Sequence, residues 1–102
     1  MKQLENKVAL ITGAGSGMGQ THAKVFAERG AVVVINDLNE NGLNETAKMV
    51  KETGGQVVEC VGDITNPDFV KAMVGDAVSQ VGGIGILVNN AGIGEHLSLI
   101  HI

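Results

Sequence analysis

The sequence contains no tyrosine, no tryptophan and only two phenylalanines among its 102 residues. No phenol is therefore available in these residues to serve as an acid or base. The single cysteine, Cys60, excludes an internal disulfide and points to a reducing compartment, the cytoplasm. Cations are also few. Seven Lys and Arg stand against eleven Asp and Glu, a formal net charge of −4. That balance forms no basic patch and argues against nucleic acid as a partner. There is one proline, and the longest uncharged stretch, Ala77 to Gly94, is broken by two Asn, a Gln, a Ser and five Gly. It suits a buried strand with its flanking loops better than a membrane span. Met1 to Asn6 is a polar lead-in without the pattern of a signal peptide.

Glycine is what the sequence has in quantity, fifteen residues in all, and four of them alternate in one place. Val8 to Ile11 is an apolar run that reads as a strand buried on both faces. Thr12 ends it, Gly13, Gly15, Gly17 and Gly19 follow at every second position, and a helical pattern then begins. A strand that turns through glycines into a helix presents free backbone N–H groups and the positive end of the helix dipole at one point. That point suits a phosphate. Side chains there would block a pyrophosphate, and the turn calls for positive φ. The G-x-G-x-x-G signature is absent in every register; the pattern is Thr12-Gly13-x-x-x-Gly17-x-Gly19. By itself such a loop also fits a flexible turn, so the rest of the chain decides.

The first strand is expected over 7–12 and the first helix over 18–29, with Ala23, Phe26 and Ala27 on one face, Val25 flanking and Gly30 as the stop. His22, with no partner visible in the sequence, reads as an ordinary helical histidine. Residues 31–36 form the second strand, ending at Asp37, where a carboxylate this far past a glycine turn accepts from an adenosine ribose. A second helix over 40–53 carries the stripe Leu43, Ala47 and Val50 and stops at Gly54-Gly55. A third strand spans 56–61, with Cys60 as a packing residue rather than a nucleophile. After Asp63-Ile64-Thr65, Asn66 caps a third helix with Pro67 in its first turn and Val70, Val74, Ala77 and Val81 as its stripe. Residues 84–88 form the fourth strand, followed by Asn89-Asn90-Ala91-Gly92.

The alternation β-α-β-α-β-α-β predicts a parallel sheet of the α/β, Rossmann type, and right-handed crossovers give the strand order 3-2-1-4. The ligand crevice then lies beyond the C-terminal ends of strands one and four, where the order reverses. The glycine turn and Asn89-Asn90-Ala91-Gly92 both arrive there.

Thr12-Gly13-Ala14-Gly15-Ser16-Gly17-Met18-Gly19, Asp37, Asp63-Ile64 and Asn89-Asn90-Ala91-Gly92, in this series, resemble the N-terminal part of a short-chain dehydrogenase/reductase. The resemblance runs from Met1 to about Gly94 and divides the chain into a truncated cofactor-binding domain, 1–94, and a remainder, 95–102. It implies a Rossmann fold, a nicotinamide cofactor and hydride transfer to or from an alcohol or carbonyl. It implies that Gly13, Ser16, Gly17, Met18 and Gly19 line the pyrophosphate and adjacent ribose, and that Asp37 holds the adenosine ribose. Asp63 and Ile64 border the adenine, and Asn90, Ala91 and Gly92 floor the site, with Asn89 supporting the strands. A carboxylate at Asp37, with Ser16 and Leu38 where NADP-dependent relatives often carry Arg or Lys, implies NAD. Gly85 stands where the family usually has an acidic residue.

The family's Ser, Tyr-x-x-x-Lys and helical Asn fall beyond the fourth strand, so no catalytic residue is assigned here. The expected whole is a homo-oligomeric enzyme of small alcohols or carbonyls, with this stretch inactive alone. Leu97-Ser98-Leu99-Ile100-His101-Ile102 resembles the translation of a transposon-end adapter used in DNA library preparation. Residues 95–102 are accordingly expected to be a non-native or disordered tail, leaving the fourth strand as an open edge and the fragment prone to aggregate. Two other readings use the same frame: a non-catalytic dinucleotide-binding module, and a methyltransferase binding S-adenosylmethionine. Asn89-Asn90-Ala91-Gly92 speaks against the second.

Overall fold

The computed structural model describes residues 5, 7–15, 17–80, 84–89 and 96–101. In chain order the elements are β1 (Val8–Thr12), α1 (Gly17–Glu28), β2 (Val32–Asp37), α2 (Glu40–Glu52), β3 (Gln56–Val61), α3 (Pro67–Gln80), β4 (Ile84–Asn89) and β5 (His96–His101). They build one sheet of order β3-β2-β1-β4-β5. β3, β2, β1 and β4 are mutually parallel, and β5 runs antiparallel to β4.

Apolar residues on both sides of β1 and β2 divide the core in two. Ile11, Val33 and Ile35 point to one face and pack with Ala23 and Ala27 of α1 and Leu43, Ala47 and Val50 of α2. Their neighbours in sequence, Val8, Leu10 and Val34, point to the other face and meet Met73 and Phe69 of α3. This is the period of two expected of strands covered on both sides. β1 is buried along its whole length, so the glycine turn leaves from the centre of the sheet.

Local signals set the helix ends. Gly30 closes α1, its N–H donating to the Ala27 carbonyl at 3.0 Å. The Asn39 side chain caps α2, accepting from Gly42 N–H at 3.2 Å. Asn66 caps α3, accepting from Asp68 and Phe69 N–H at 3.0 and 3.3 Å, with Pro67 at the first helical position.

In α3, Met73 and, one turn before it, Phe69 pack on the sheet; neither was in the expected stripe, of which Val70 is half-buried. The side chains of Val74 and Ala77, and Val81 as a whole, lie outside the described residues. The apolar residues of this helix span two adjoining arcs, so periodicity alone does not fix its rotation. Residues 95–102 were expected to form no element, yet His96–His101 is β5, paired with β4 from Ile84↔His101 to Asn89↔His96. The alternation Leu97-Ser98-Leu99 is a strand pattern, and β4 offers it an edge. β4 is therefore hydrogen-bonded on both sides, to β1 and β5, and is not the open edge.

Leu43 is fully buried, whereas Leu38 is 71% exposed. Leu43→Ala is expected to destabilise the fold by about 2–5 kcal/mol. Leu38→Ala should change stability by less than about 0.5 kcal/mol. Urea denaturation of both variants measures the contrast.

Candidate functional site: the glycine turn and the ends of β1, β2 and β3

β1, β2 and β3 are parallel neighbours, so the segments that follow them emerge along one edge of the sheet. Gly13 to Gly19 leaves β1, Asp37 ends β2, and Asp63-Ile64 follows β3. The sheet thus gathers Gly13, Gly17, Met18, Gly19, Asp37, Asp63 and Ile64 along one rim. Ser16, Asn90, Ala91 and Gly92 lie outside the described residues.

The turn needs glycine for two physical reasons. Gly13 and Gly17 adopt φ of 64° and 54°, a region that costs other residues steric energy. At Gly19 a Cβ would run into the Gly13 carbonyl and the Ala14 Cα, so α1 packs against its own entry loop at a distance only glycine allows. Gly17 by contrast faces open space, where a Cβ would touch nothing within 4 Å. The outer side of the turn is a cradle, and its inner side is packed.

Asp37 and Gln20 both fasten Gly15 on the inner side. The Asp37 carboxylate accepts from Gly15 N–H at 2.8 Å through Oδ2 and from Asn39 N–H at 3.0 Å through Oδ1. Gln20 Nε2 donates to the Gly15 carbonyl at 3.1 Å. Asn36, 2% exposed, sits behind this arrangement. Its Nδ2 donates to the carbonyls of Cys60 (2.9 Å) and Gly62 (3.2 Å), tying the end of β2 to the end of β3. Gly62 N–H donates back to the Asp37 carbonyl at 3.2 Å.

Charge at the helix ends differs in a useful way. α2 and α3 carry Glu40 and Asp68 in their first turns, whereas α1 carries no acidic residue there. The positive end of the α1 dipole thus has no acidic side chain in its own first turn. Met18, in the same turn, is 62% exposed. The His22 ring lies 6.4 Å from that of Phe26, tilted by 31°, one turn along α1.

Asp63 is engaged locally. The Thr65 hydroxyl (2.7 Å) and N–H (2.8 Å) both donate to its Oδ1. These two hydrogen bonds, the hydroxyl's first, hold the carboxyl below the usual aspartate range.

Residues 7–101 match the family model for short chain dehydrogenase. The chain belongs to the short-chain dehydrogenase family. The chain is 41% identical over 101 residues to an uncharacterized oxidoreductase, YxbG, of Bacillus subtilis, covering 99% of this chain and 37% of that protein. It is 42% identical over 92 residues to 7alpha-hydroxysteroid dehydrogenase of Escherichia coli, covering 90% of this chain and 36% of the relative. Among solved structures, a short chain dehydrogenase from Mycobacterium paratuberculosis bound to NAD superimposes with a TM-score of 0.82 at 31% identity, over 90% of this chain and 39% of that one. The chain thus spans little more than a third of the length of these relatives.

Sequence reasoning missed the residues behind the rim: Gln20, Asn36, Gly42 and Thr46. Thr46 had a signal, since it lies three residues after Leu43 and next to Ala47 on the buried stripe of α2.

Thr65→Ala is expected to raise the titration point of Asp63 only part of the way, because the Thr65 N–H remains. A pH titration of the carboxyl resonance by NMR measures it. The folded-state value lies below the unfolded one, so any stabilisation from Asp63 is present above the unfolded value and lost as pH falls through the folded one. At the turn, Gly19→Ala must displace backbone rather than a flexible side chain. A loss of about 1–3 kcal/mol, the usual cost of overpacking, is expected in thermal unfolding.

Proposed function

We propose that this chain is the cofactor-binding part of an NAD-dependent short-chain oxidoreductase that interconverts small alcohols and carbonyl compounds. The observation that carries the reading is the Asp37 carboxylate, anchored 2.8 Å from Gly15 N–H at the head of a cradle whose outer face is open at Gly17. The residues fit a dinucleotide: open backbone N–H groups at an α1 terminus free of acidic side chains for the pyrophosphate, and an acceptor-only group beside them for a sugar. The likeness to a structure bound to NAD supports the same assignment.

NAD, when bound, accepts or gives up a hydride; this chain's residues bind and orient it. Gly13, Ser16, Gly17, Met18 and Gly19 line the diphosphate and adjoining ribose. Asp37 keeps lone pairs beyond those used by Gly15 and Asn39, and these accept from the ribose hydroxyls. The same carboxylate repels a 2′-phosphate, which selects NAD over NADP. Asp63 and Ile64 border the adenine, and Asn90, Ala91 and Gly92 floor the site. The tyrosine that the family resemblance implies for proton transfer would come from outside these residues, which hold none. The enzyme as a whole is proposed to be cytoplasmic and homo-oligomeric, with the 102 residues inactive on their own.

Absence of tyrosine is also what a non-catalytic dinucleotide-binding module has. The source DNA separates the two readings: a frame that continues past codon 94 into a serine and a Tyr-x-x-x-Lys supports the enzyme, and a genomic stop near codon 102 supports the module. For the cofactor, Asp37→Ala is expected to weaken NAD binding about ten- to a hundredfold, the worth of hydrogen bonds to a charged group. NADP binding should change far less, so the ratio of the two dissociation constants narrows. Calorimetric titration with both nucleotides measures this, and an unchanged ratio would falsify the ribose assignment.

A further inference from the structure

The middle of the glycine turn is held from the side of α2. Ala14 N–H donates to the Asn36 carbonyl at 2.9 Å. The Ala14 carbonyl accepts from the Thr46 hydroxyl of α2 at 2.5 Å, across 32 positions in sequence. Gly15 uses its N–H on Asp37 and its carbonyl on Gln20. All four backbone polar groups of Ala14 and Gly15 are thus committed to the scaffold. Thr46 supplies one of the four from the middle of a helix, and both Thr46 and Ala14 are fully buried.

The Thr46 hydroxyl has one proton and two carbonyl neighbours. Its contact with Gly42, one turn back on α2, is 3.1 Å, so the shorter bond goes to Ala14. Gly42 adds a steric half to the same fastening. A Cβ there would collide with the Gly15 carbonyl, so the first turn of α2 rests directly on the loop. Asn39, which caps α2 through Gly42 N–H, gives its own N–H to Asp37. A closed circuit results: Ala14, Thr46, Gly42, Asn39, Asp37, Gly15. The Asp37 carboxylate and the glycine turn are both indexed to α2.

We infer that Thr46 is a positioning residue for the cofactor site. Its hydroxyl holds the Ala14 carbonyl, fixes the peptide between Ala14 and Gly15, and so keeps the Gly15 N–H aimed at Asp37 and the Asp37 carboxylate aimed at the ribose. The inference rests on the proposed cofactor reading for its effect on binding, but not for its effect on the loop.

The decisive comparison is Thr46→Val, which keeps the shape and removes the donor, against Thr46→Ser, which keeps the donor. In the nucleotide-free chain, Thr46→Val is expected to speed amide hydrogen exchange at Ala14 and Gly15 by about tenfold or more, relative to Val50 in the last turn of the same helix. Thr46→Ser should leave that ratio near the parent value. With nucleotides, Thr46→Val should weaken NAD about tenfold and reduce discrimination against NADP, and Thr46→Ser should restore both. A general loss of stability moves neither the exchange ratio between Gly15 and Val50 nor the NAD-to-NADP ratio. Unchanged Gly15 exchange in Thr46→Val, or equal effects from Val and Ser, overturns the inference. If the exchange result holds and the parent chain takes up no NAD, the cofactor reading fails and the loop-positioning role stands. Should Thr46→Val not fold, Gly42→Ala perturbs the same junction, and unaltered Gly15 exchange in it overturns the inference equally.

Discussion

A carboxylate at the end of one strand holding the backbone of a turn at the end of the next is the constraint on which this structure depends. Asp37 and Gly15 are separated by 22 positions and joined at 2.8 Å. The turn is too rich in glycine to hold a shape by itself, because glycine surrenders more backbone entropy on ordering than any other residue. Its shape is therefore imposed from outside, by the strand beside it and the helix behind it. A loop that depends on its scaffold in this way is fixed where it is packed and unobstructed where it is not, as at Gly17.

The scaffold is rigid because the sheet centre is buried on both faces. β1 has no exposed residue, and its two neighbours, β2 and β4, run parallel with it in register. Thr12, the last residue of β1, lies level with Asn36 on one side and Asn89 on the other. Polar residues replace apolar ones at one level across three strands, where the packed interior gives way to the rim. The change from Val, Leu and Ile to Thr and Asn marks that boundary in the sequence itself.

Much of this was legible before any coordinates. The glycine spacing located the turn, and short continuous apolar runs bounded by glycine and polar residues located the strands; Asp37 was placed at the end of β2, though not its bond to Gly15. What escaped reading were contacts between elements distant in sequence. Nothing near Thr46 names Ala14 as its partner, and nothing near Gly42 announces the carbonyl it abuts. Asn36 looked like the polar end of a strand, whereas its amide crosses to β3. The rotation of α3 was ambiguous because its apolar residues occupy two adjoining arcs. β5 was discounted on the origin suggested by its wording, although its alternation was that of a strand.

The antiparallel pairing of β5 carries a topological consequence. A strand has two hydrogen-bonding sides and no third. β4 spends one on β1 and the other on residues 96–101. Any further parallel strand that seeks the place next to β4 must first evict that segment, so the two arrangements are mutually exclusive occupants of a single berth.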